Sequence, residues 1–413
     1  MKKHFFALLL FATATSLHSE ALWPEFRGPT AQGHSTATGL PSRWSKTLGI
    51  KWSHALQGRA WSSPVVADGR VFLTNAVEQS SKVRLTVLAL DAETGKQSWE
   101  TELFVVDDPA KLKMHSKNSQ ASPSPIFEGG LVYVHFGHHG SGCVQAADGK
   151  VVWKNNDHPY PAVHGTGGSP LLVDNLLVFN ADAASNPSVI ALNKADGKLA
   201  WKRVRTSPAS RKFSFSTPLL IEVNGEKQII TAGSGIVQAL RPSDGSEIWH
   251  LTYDQGYSVV PRPVFAHDMI FLSTGYDKPS ALAIKVGGTG DVTETHLAWR
   301  ADKRVPHNPS MLVVGDDLYM LDDKGIFSCR DAKTGEVYYE ERLLSNSSAS
   351  LLYADGMIYA TDEQGMTAVV KPGHTLQTVA KNDLGEKTLA SAAVVDNDLL
   401  LRTEKALYRI TKK

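Results

Sequence analysis

A turn motif recurs along this chain: six positions after a small residue comes a glycine, and four positions after the glycine comes an aromatic residue. The first copy runs from Ala89 through Gly95 to Trp99. The further copies are Cys143, Gly149 and Trp153; Ala191, Gly197 and Trp201; Ala239, Gly245 and Trp249; and Cys329, Gly335 and Tyr339. The first four glycines lie 54, 48 and 48 residues apart. This period fits a four-stranded β-propeller blade and excludes shorter solenoid repeats.

A second landmark marks where each blade begins. It is a Ser/Thr-Pro step, or a weaker version of one, followed by a short apolar run. The eight occurrences are Ser63-Pro64, Ser124-Pro125, Ser169-Pro170, Thr217-Pro218, Arg262-Pro263, Asn308-Pro309, Ser350-Leu351 and Ser391-Ala392. Hairpin signals such as Asp68-Gly69 follow these starts and precede alternating apolar runs. The sequence therefore predicts an all-β fold, a single eight-bladed propeller of four-stranded antiparallel blades.

The eighth unit contains only three predicted strands before the chain ends. An open sheet edge invites aggregation, and closed propellers usually complete the last blade with a strand from the other terminus. The segment Ile50-Lys51-Trp52 fits this position, because Trp52 stands just ahead of the first inner strand as the other blade aromatics do. We expect these aromatic residues to pack between adjacent blades rather than to stack on a cofactor.

The termini and the composition limit where the protein acts. Residues 1–21 have the pattern of a secretory signal peptide, residues 22–48 look like an extended arm, and residues 49–413 form the predicted propeller. No cysteine lies near the cleavage region and no later segment is long and apolar enough for a membrane span, so we expect a periplasmic or secreted protein without a lipid anchor. The net charge of +1 gives no reason to expect nucleic-acid binding, and we expect a monomer.

Both cysteines of the chain, Cys143 and Cys329, occupy the small-residue position of the motif, in the second and sixth units. Four blades apart in a ring of eight, they are on opposite sides. A disulfide needs Cα atoms within about 7 Å. We therefore predict two buried free thiols.

The string from Ala89 to Trp99, and its close repeat from Ala191 to Trp201, resembles the tryptophan-docking repeat of propellers of the pyrroloquinoline-quinone (PQQ) type. The start at Trp23 to Pro29, W-P-x-F-R-G-P, is similar to that of secreted bacterial PQQ-like or BamB-like propeller proteins. The resemblance covers roughly residues 50–410. It implies an eight-bladed fold shared by quinoprotein dehydrogenases and the non-enzymatic BamB group.

The resemblance to the dehydrogenases is incomplete. Those enzymes resemble one another in a vicinal cysteine pair above the quinone and a calcium ion held by carboxylate and Asn ligands, and this chain has no adjacent cysteines. We therefore expect no cofactor, neither PQQ nor calcium. His135, His138 and His139 match no strong metal-binding spacing, and we expect no metal site.

Functional residues are expected in the loops around one mouth of the central channel, where propellers usually bind ligands. These loops combine cations, imidazoles, aromatic rings and carboxylates. The predicted ligand-binding residues are Arg59, Trp61, Lys117, Asn118, His138, His139, His164, Lys212, Tyr257, Arg262, Tyr276, Asp277, His307 and Arg402. An alternative, equally weighted, is that these polar groups bond one another and trapped water.

Two functions are consistent with these patterns. The first is an exported non-catalytic propeller, a BamB-like scaffold, that binds a protein or glycan ligand at the mouth. The alternative is an enzyme acting there on a carbohydrate or an alcohol, with His164, His307, Tyr257 and Asp277 as candidate catalytic residues. We prefer the first because the sequence contains no catalytic signature.

Overall fold

The computed structural model describes residues 23–108 and 113–413, and these residues form eight sheets arranged as propeller blades. The predicted signal segment, residues 1–21, lies outside the described residues. Strand β1 (Ile50–Ala55) belongs to the last blade. Blades 1 and 2 consist of β2 (Val65–Ala67), β3 (Arg70–Gln79), β4 (Lys82–Asp91) and β5 (Gln97–Val106), then β6 (Ile126–Glu128), β7 (Leu131–His135), β8 (Ser141–Gln145) and β9 (Val151–Asn155). A 3-10 turn, Gly137–His139, joins β7 to β8.

Blades 3 to 5 repeat this order of strands, with one insertion. Blade 3 is β10 (Leu171–Val173), β11 (Leu176–Ala181), β12 (Ser188–Asn193) and β13 (Leu199–Val204). Blade 4 is β14 (Leu219–Val223), β15 (Glu226–Gly233), β16 (Ile236–Leu240) and β17 (Glu247–Thr252). Blade 5 is β18 (Val264–Ala266), β19 (Met269–Ser273), β20 (Ala281–Lys285) and β22 (Leu297–Ala301). The insertion contains β21 (Gly290–Asp291), which pairs in parallel with β17, and the short helix α1 (Thr293–His296).

Blades 6 to 8 complete the ring. Blade 6 is β23 (Leu312–Val314), β24 (Asp317–Leu321), β25 (Ile326–Asp331) and β26 (Val337–Arg342), and blade 7 is β27 (Leu352–Ala354), β28 (Met357–Thr361), β29 (Met366–Lys371) and β30 (Gln377–Asp383). Blade 8 is β31 (Ala393–Val395), β32 (Asp398–Arg402), β33 (Ala406–Ile410) and β1. Trp52 of β1 pairs with Arg409 of β33 in antiparallel register. The predicted all-β propeller and its closure by an N-terminal strand are confirmed.

The repeated aromatic residues join neighbouring blades. Trp99 of blade 1 packs on Gly149 of blade 2, where an added Cβ would stand 2.6 Å from the indole ring, and its indole nitrogen donates to the Ala146 carbonyl at 3.1 Å. Trp52, Trp153 and Trp201 make the same contact with the next blade. The glycine is required because its φ is positive and the indole occupies the place of a side chain. The predicted packing between blades is confirmed for Trp99, Trp153 and Trp201. Trp249 is also buried against blade 5, but its indole nitrogen donates to Gln228 of its own blade at 3.2 Å.

Blade 5 also carries a docking tryptophan, which the repeat analysis missed. Trp299 packs on Gly335 of blade 6 and donates to the Ala332 carbonyl at 2.9 Å. The insertion before β22 separates Trp299 from its small residue, Ala283, although the two still pair across the sheet. The insertion therefore hides the fifth copy in the sequence.

A belt of hydroxyl groups surrounds the channel immediately before the inner strands. The Ser124 hydroxyl accepts the backbone N–H of Ser63 at 2.9 Å, and the Ser169 hydroxyl accepts that of Ser124 at 2.9 Å. The same contact continues from blade to blade, and Ser63 accepts from Ser391 at 3.2 Å to close the circle. The members of this hydroxyl belt are Ser63, Ser124, Ser169, Thr217, Ser310, Ser350 and Ser391. Seven of the eight junctions between blades are therefore bridged by a hydroxyl group that faces the channel, and blade 5 departs from the pattern.

Two blades differ from the predicted starts or from the hydroxyl pattern. In blade 6 the equivalent residue is Ser310, two positions after the predicted Asn308-Pro309 step. In blade 5 the equivalent residue is Arg262, whose backbone N–H donates to Ser310 but whose side chain is buried below the belt. An arginine takes this position because its side chain bonds to the N-terminal arm, as described below.

The N-terminal arm, from residue 23 to residue 48, crosses one end of the channel. It hydrogen bonds to the middle residue of four inner strands. Trp23 of the arm bonds to Val66, Pro24 to Phe127, Gln32 to Phe265, and both Gly33 and Ser35 to Tyr353. Inner strands have free edges that face the channel axis, and the arm uses their unpaired backbone groups. The arm therefore closes this end of the channel, a position that the sequence did not predict.

Cys143 and Cys329 lie buried in blades 2 and 6 and are both free, as predicted. Burial raises the pKa of each thiol to about 12. Each packs on a tyrosine across the sheet, Tyr133 and Tyr319 respectively. The two thiols are therefore protonated core residues at physiological pH.

Candidate functional site

A cavity of about 740 Å³ fills the channel between the arm, which closes one end, and the loops at the other end. Its floor includes Phe26 of the arm, its middle zone contains the hydroxyl belt, and its rim is formed by the loops between blades. A hydroxyl group that accepts one N–H still carries its own proton. The belt therefore presents O–H donors to whatever enters the cavity.

Aromatic and imidazole rings form a continuous arc along the rim. In order around the channel they are His115, His164, Phe213, Tyr257, Tyr276 and His307. Neighbouring ring centroids are 5.3–5.7 Å apart and meet edge to face. This spacing lies within the favourable range for aromatic pairs. We call this set the aromatic arc.

The arc is held by the loops that carry it. Arg211 donates to the Tyr257 hydroxyl at 2.5 Å and places its guanidinium carbon 4.8 Å from the centre of that ring. Gly167 and Gly168 precede blade 3, and an added Cβ at either would stand 2.7 Å from atoms of Phe215 or Ser216. The glycines therefore allow a close backbone approach, and they bring the loops of blades 3 and 4 together.

The opposite side of the rim is polar, and its charges are paired. Lys117 lies 2.7 Å from a carboxylate oxygen of Glu363, which also accepts from Ser348 at 2.6 Å. Asp323 accepts the backbone N–H of His307 at 2.5 Å and both the backbone and side-chain amides of Asn308. Burial raises the pKa of Asp323. The charge of His307 and the hydrogen bond from its backbone N–H act in the opposite direction and lower that pKa. These carboxylates hold loops of different blades in place.

Seven of the predicted ligand-binding residues line the cavity: Trp61, Lys117, Asn118, His164, Tyr257, Tyr276 and His307. Arg59 stands behind Trp61, with its guanidinium carbon 5.9 Å from the indole, and donates to the Ser116 carbonyl. Lys212 and the exposed Asp277 follow cavity-lining residues in the chain but are outside the lining. Their role in binding stays a prediction.

Arg262 and Arg402 are not at the mouth. Both are almost completely buried and donate to acceptors of the protein itself. The side chain of Arg402 reaches across from blade 8 to blade 1, where it bonds to Ser62, Thr74 and Asn75. Our expectation placed them at the mouth because a sequence position gives the strand but not the direction of the side chain.

His138 and His139 line a different depression, on the outside of blades 1 and 2. It is formed with Glu102 to Asp108 and Lys154 and has a volume of about 410 Å³. His139 is hydrogen bonded to Gln120 at 2.8 Å. Within residues 23–108 and 113–413, no group of three His, Cys, Asp or Glu side chains is arranged to hold a metal ion.

The candidate catalytic residues do not converge. His164 and His307 stand at separate positions of the aromatic arc, with Phe213, Tyr257 and Tyr276 between them. Burial and the neighbouring His115 lower the pKa of His164, which favours the neutral imidazole. The arc therefore presents ring surfaces to the cavity.

Sequence reasoning missed several residues of the cavity. Phe213 and His115 complete the arc, Phe26 closes the floor, and Asp323 joins two loops. Phe213 and His115 lie in the same loops as predicted residues, so their positions were visible in the sequence. The place of Phe26 was not, because it depends on the path of the arm.

His135 is a buried neutral histidine, and its acid titration is testable. It is hydrogen bonded to Ser141 at 2.9 Å and stacks on Phe179 with centroids 4.0 Å apart. Burial, and then the nearby His138 and His139, lower its pKa from 6.5 to about 3. The unfolded chain takes up a proton near pH 6.5 and the folded protein does not, so stability falls as the pH falls below 6.5. From pH 7 to 4.5 this residue should cost about 2–3 kcal/mol.

Urea unfolding of wild type and His135→Phe at the two pH values measures this contribution. The variant should lose less stability in acid, by the amount above. His54→Gln, a change at a half-exposed strand position, is the control and should follow wild type. Equal acid sensitivity of wild type and His135→Phe would contradict the assignment.

Together, the ring of blades, the closed floor and the lined cavity define a class of protein: an eight-bladed propeller with a central cavity that opens at one end. In the same residues no helix reaches the length and apolar character that a membrane crossing requires. The sequence profile of the family described as outer membrane protein assembly factor BamB matches residues 42–157, 86–302 and 290–406. The chain therefore belongs to this family of PQQ-like propellers, as the resemblance implied.

Relatives and solved structures agree with this assignment. The chain is 23% identical to the outer membrane protein assembly factor BamB of Yersinia pestis, over 76% of each protein. It is 26% identical over 268 residues to a polyvinylalcohol dehydrogenase of a Pseudomonas species, which is 50% of this chain and 42% of that protein. The crystal structure of BamB from Moraxella catarrhalis superposes with a TM-score of 0.60 at 12% identity, covering 87% of this chain and 99% of that one. This last likeness concerns the fold alone.

Proposed function

We propose that this protein is an exported, non-catalytic propeller that binds a polyhydroxylated ligand, a glycan, in its channel cavity. The observation that carries the proposal is the aromatic arc placed above the hydroxyl belt. Aromatic rings pack against the apolar C–H faces of sugar rings, and hydroxyl donors match sugar oxygens. The aromatic arc and the hydroxyl belt both line this one cavity.

The size and charge of the cavity support a neutral ligand. A volume of about 740 Å³ falls within the range of small-molecule sites. Lys117 is already paired with Glu363, and Asp323 already accepts amide N–H groups of His307 and Asn308. A charged ligand would have to replace these bonds, whereas a neutral polyol can add to them. One relative is also named for a polyhydroxylated polymer, polyvinyl alcohol.

The rim supports binding more than catalysis. His164 and His307 are separated by three rings, and Asp323 already accepts hydrogen bonds from a backbone and a side-chain amide. General acid–base catalysis needs a titratable group within hydrogen-bond reach of the reacting atoms. The candidate groups are instead engaged in holding loops.

A quinone and its calcium ion do not fit this donor set. Cys143 and Cys329 are in the cores of blades 2 and 6, away from the cavity, so they cannot cover a quinone as a pair. The rim carboxylates Glu363 and Asp323 are bonded to Lys117, Ser348 and Asn308. We therefore propose no quinone chemistry and no dehydrogenase activity for this chain.

A protein partner is the second candidate ligand. The family is named for an assembly factor of outer membrane proteins, and the relative in Yersinia pestis carries that name over most of its length. Tyr276 supports a partner at the mouth, because it is 55% exposed and stands at the outer side of the arc. On this proposal the protein works as a monomer in the periplasm or outside the cell.

Calorimetric titration with a panel of neutral oligosaccharides tests the preferred function. Tyr257→Ala and Tyr276→Ala should each lower the affinity for a bound sugar roughly three- to tenfold, because each removes one stacking surface. Tyr338→Ala is the matched control, since Tyr338 stacks on His374 on the outer strand of blade 6. It should bind as wild type does.

The outcomes separate the candidates. Sugar binding that depends on the arc, with the sugar recovered unchanged, supports a glycan-binding propeller. A released product would support the enzyme. Absence of binding to every sugar, together with capture of a purified outer-membrane protein through Tyr276, would replace the glycan by a protein partner.

A further inference from the structure

Two buried guanidinium groups meet where the arm crosses the channel floor. Arg27 of the arm is 2% exposed and Arg262 of blade 5 is 1% exposed. Glu25 lies 2.8 Å from Arg262 and is the acid that pairs with it. Two cations and one carboxylate leave this cluster with one uncompensated positive charge.

The hydrogen bonds of Arg262 are nearly complete. Its Nη1 donates to Glu25 at 2.8 Å and to the Phe26 carbonyl at 2.7 Å, and its Nε donates to the Pro218 carbonyl at 3.0 Å. Its Nη2 is buried and has no acceptor among the described residues. Nη1 of Arg262 therefore bonds to the arm, whereas the N–H groups of its Nη2 are unused.

Arg27 has more unused donors. Its Nη2 donates to the Met311 carbonyl at 2.7 Å. Its Nε and Nη1 are buried, and neither has an acceptor in the described part of the chain. Burial and the neighbouring charge of Arg262 lower the pKa of Arg27 to about 9. The two guanidinium groups thus repel each other in a site that contains donors but too few acceptors.

The backbone around Arg27 is built to enclose it. Gly33 has a φ of +85°, and a Cβ there would stand 2.8 Å from Nη2 of Arg27 and 2.7 Å from the Leu351 carbonyl. Arg27 itself has a positive φ of 68°. A non-glycine residue at positive φ is strained, so placing this side chain requires an unfavourable backbone conformation.

Buried charges in proteins are normally paired, and an unpaired buried cation is strongly unfavourable. From the donors and the charge count, we propose that a small monovalent anion, of which chloride is the probe, binds between Arg27 and Arg262. One negative charge makes the cluster neutral, and an anion accepts from all three unused nitrogen atoms. The anion would fix the arm to blades 5 and 6 beneath the cavity.

This site makes the stability of the protein dependent on chloride. A ligand that binds only the folded state raises stability in proportion to the logarithm of its concentration above the dissociation constant. For a dissociation constant near 10 mM, 100 mM chloride should raise Tm by roughly 1–3 °C. Above the dissociation constant, each further tenfold rise in chloride should raise Tm by a similar step, and methanesulfonate at the same ionic strength should not.

Thermal unfolding of the chloride-free protein tests this, with sodium chloride titrated against sodium methanesulfonate at constant ionic strength. Wild type and Arg203→Met, a change at an exposed position on the outer strand of blade 3, should show the chloride-specific increase. Arg27→Met should lose it. Crystals soaked in bromide should give an anomalous peak between the two guanidinium groups.

Each result decides the proposal. If wild type shows no chloride-specific rise in Tm, and the bromide crystals contain only water at this place, the proposal is wrong. If Arg27→Met does not fold, the bromide peak in wild type decides alone. A chloride effect that Arg27→Met retains, without a peak, would place the anion elsewhere and also overturn the assignment.

Discussion

Replacement of Trp23 by alanine is expected to lower the free energy of unfolding by about 3–5 kcal/mol, as for other large aromatic residues removed from a core. Trp23 is 1% exposed and belongs to an apolar cluster with Leu40 and Val66 that joins blades 7, 8 and 1. Its backbone pairs with Val66 in both directions. The substitution removes the anchor of the arm and leaves a cavity beside the closing blade.

The measurement is urea unfolding, combined with limited trypsin digestion. Loosening of the arm should expose Arg27, so we expect faster cleavage there in the variant. Leu48→Ala is the control, because Leu48 belongs to the same arm but is 44% exposed. A Trp23→Ala protein as stable as the control would mean that the arm adds nothing to the core.

The second large effect is expected from Arg402→Met, at about 2–4 kcal/mol. The guanidinium group donates to the Ser62 hydroxyl at 2.6 Å, to the Thr74 carbonyl at 2.9 Å and to Asn75 at 3.2 Å. Methionine removes all three bonds and takes this donor from the Asn75 side-chain oxygen, while Ser62 and Thr74 stay hydrogen bonded to each other. Removal of a buried charge, whose burial lowers the pKa of Arg402 to about 9, offsets part of the loss.

This substitution acts on the joint between the last blade and the first. Arg203→Met provides the comparison, since Arg203 has a side chain 45% exposed and a carboxylate contact at 4.0 Å. We expect it to change the unfolding free energy by less than about 0.5 kcal/mol. If Arg402→Met is equally mild, Arg402 does not hold the joint between the last blade and the first.

The architecture was readable from the sequence because five of the eight junctions between blades share the same local requirement. A positive-φ glycine must stand where the tryptophan of the previous blade packs, and this pair is visible at Gly149 and Trp99. The closing strand was readable because Trp52 makes the same contact with Gly95. The pattern failed where an insertion changed the spacing, at Trp299.

The site was only partly readable. Loops that lead into inner strands could be located, so Tyr257, Tyr276 and His307 were placed at the mouth. The burial of Arg262 and Arg402 depends on the direction in which a side chain leaves the backbone, and this is set by packing with distant segments. Glu25 bonds to Arg262 from a position 237 residues earlier in the chain, and no local pattern reports such a pair.

The ring of blades can close only after β33 has been synthesised, because β33 is the partner of β1. Ile50 pairs with Ile410, so the two partners are 360 residues apart. At synthesis rates of about 5–20 residues per second, roughly 20–70 s separate their appearance at the ribosome. Throughout that interval the N-terminal strand has no partner, and its edge can pair with other chains. A cell that makes this propeller must therefore shield a nascent β-edge for most of the duration of translation.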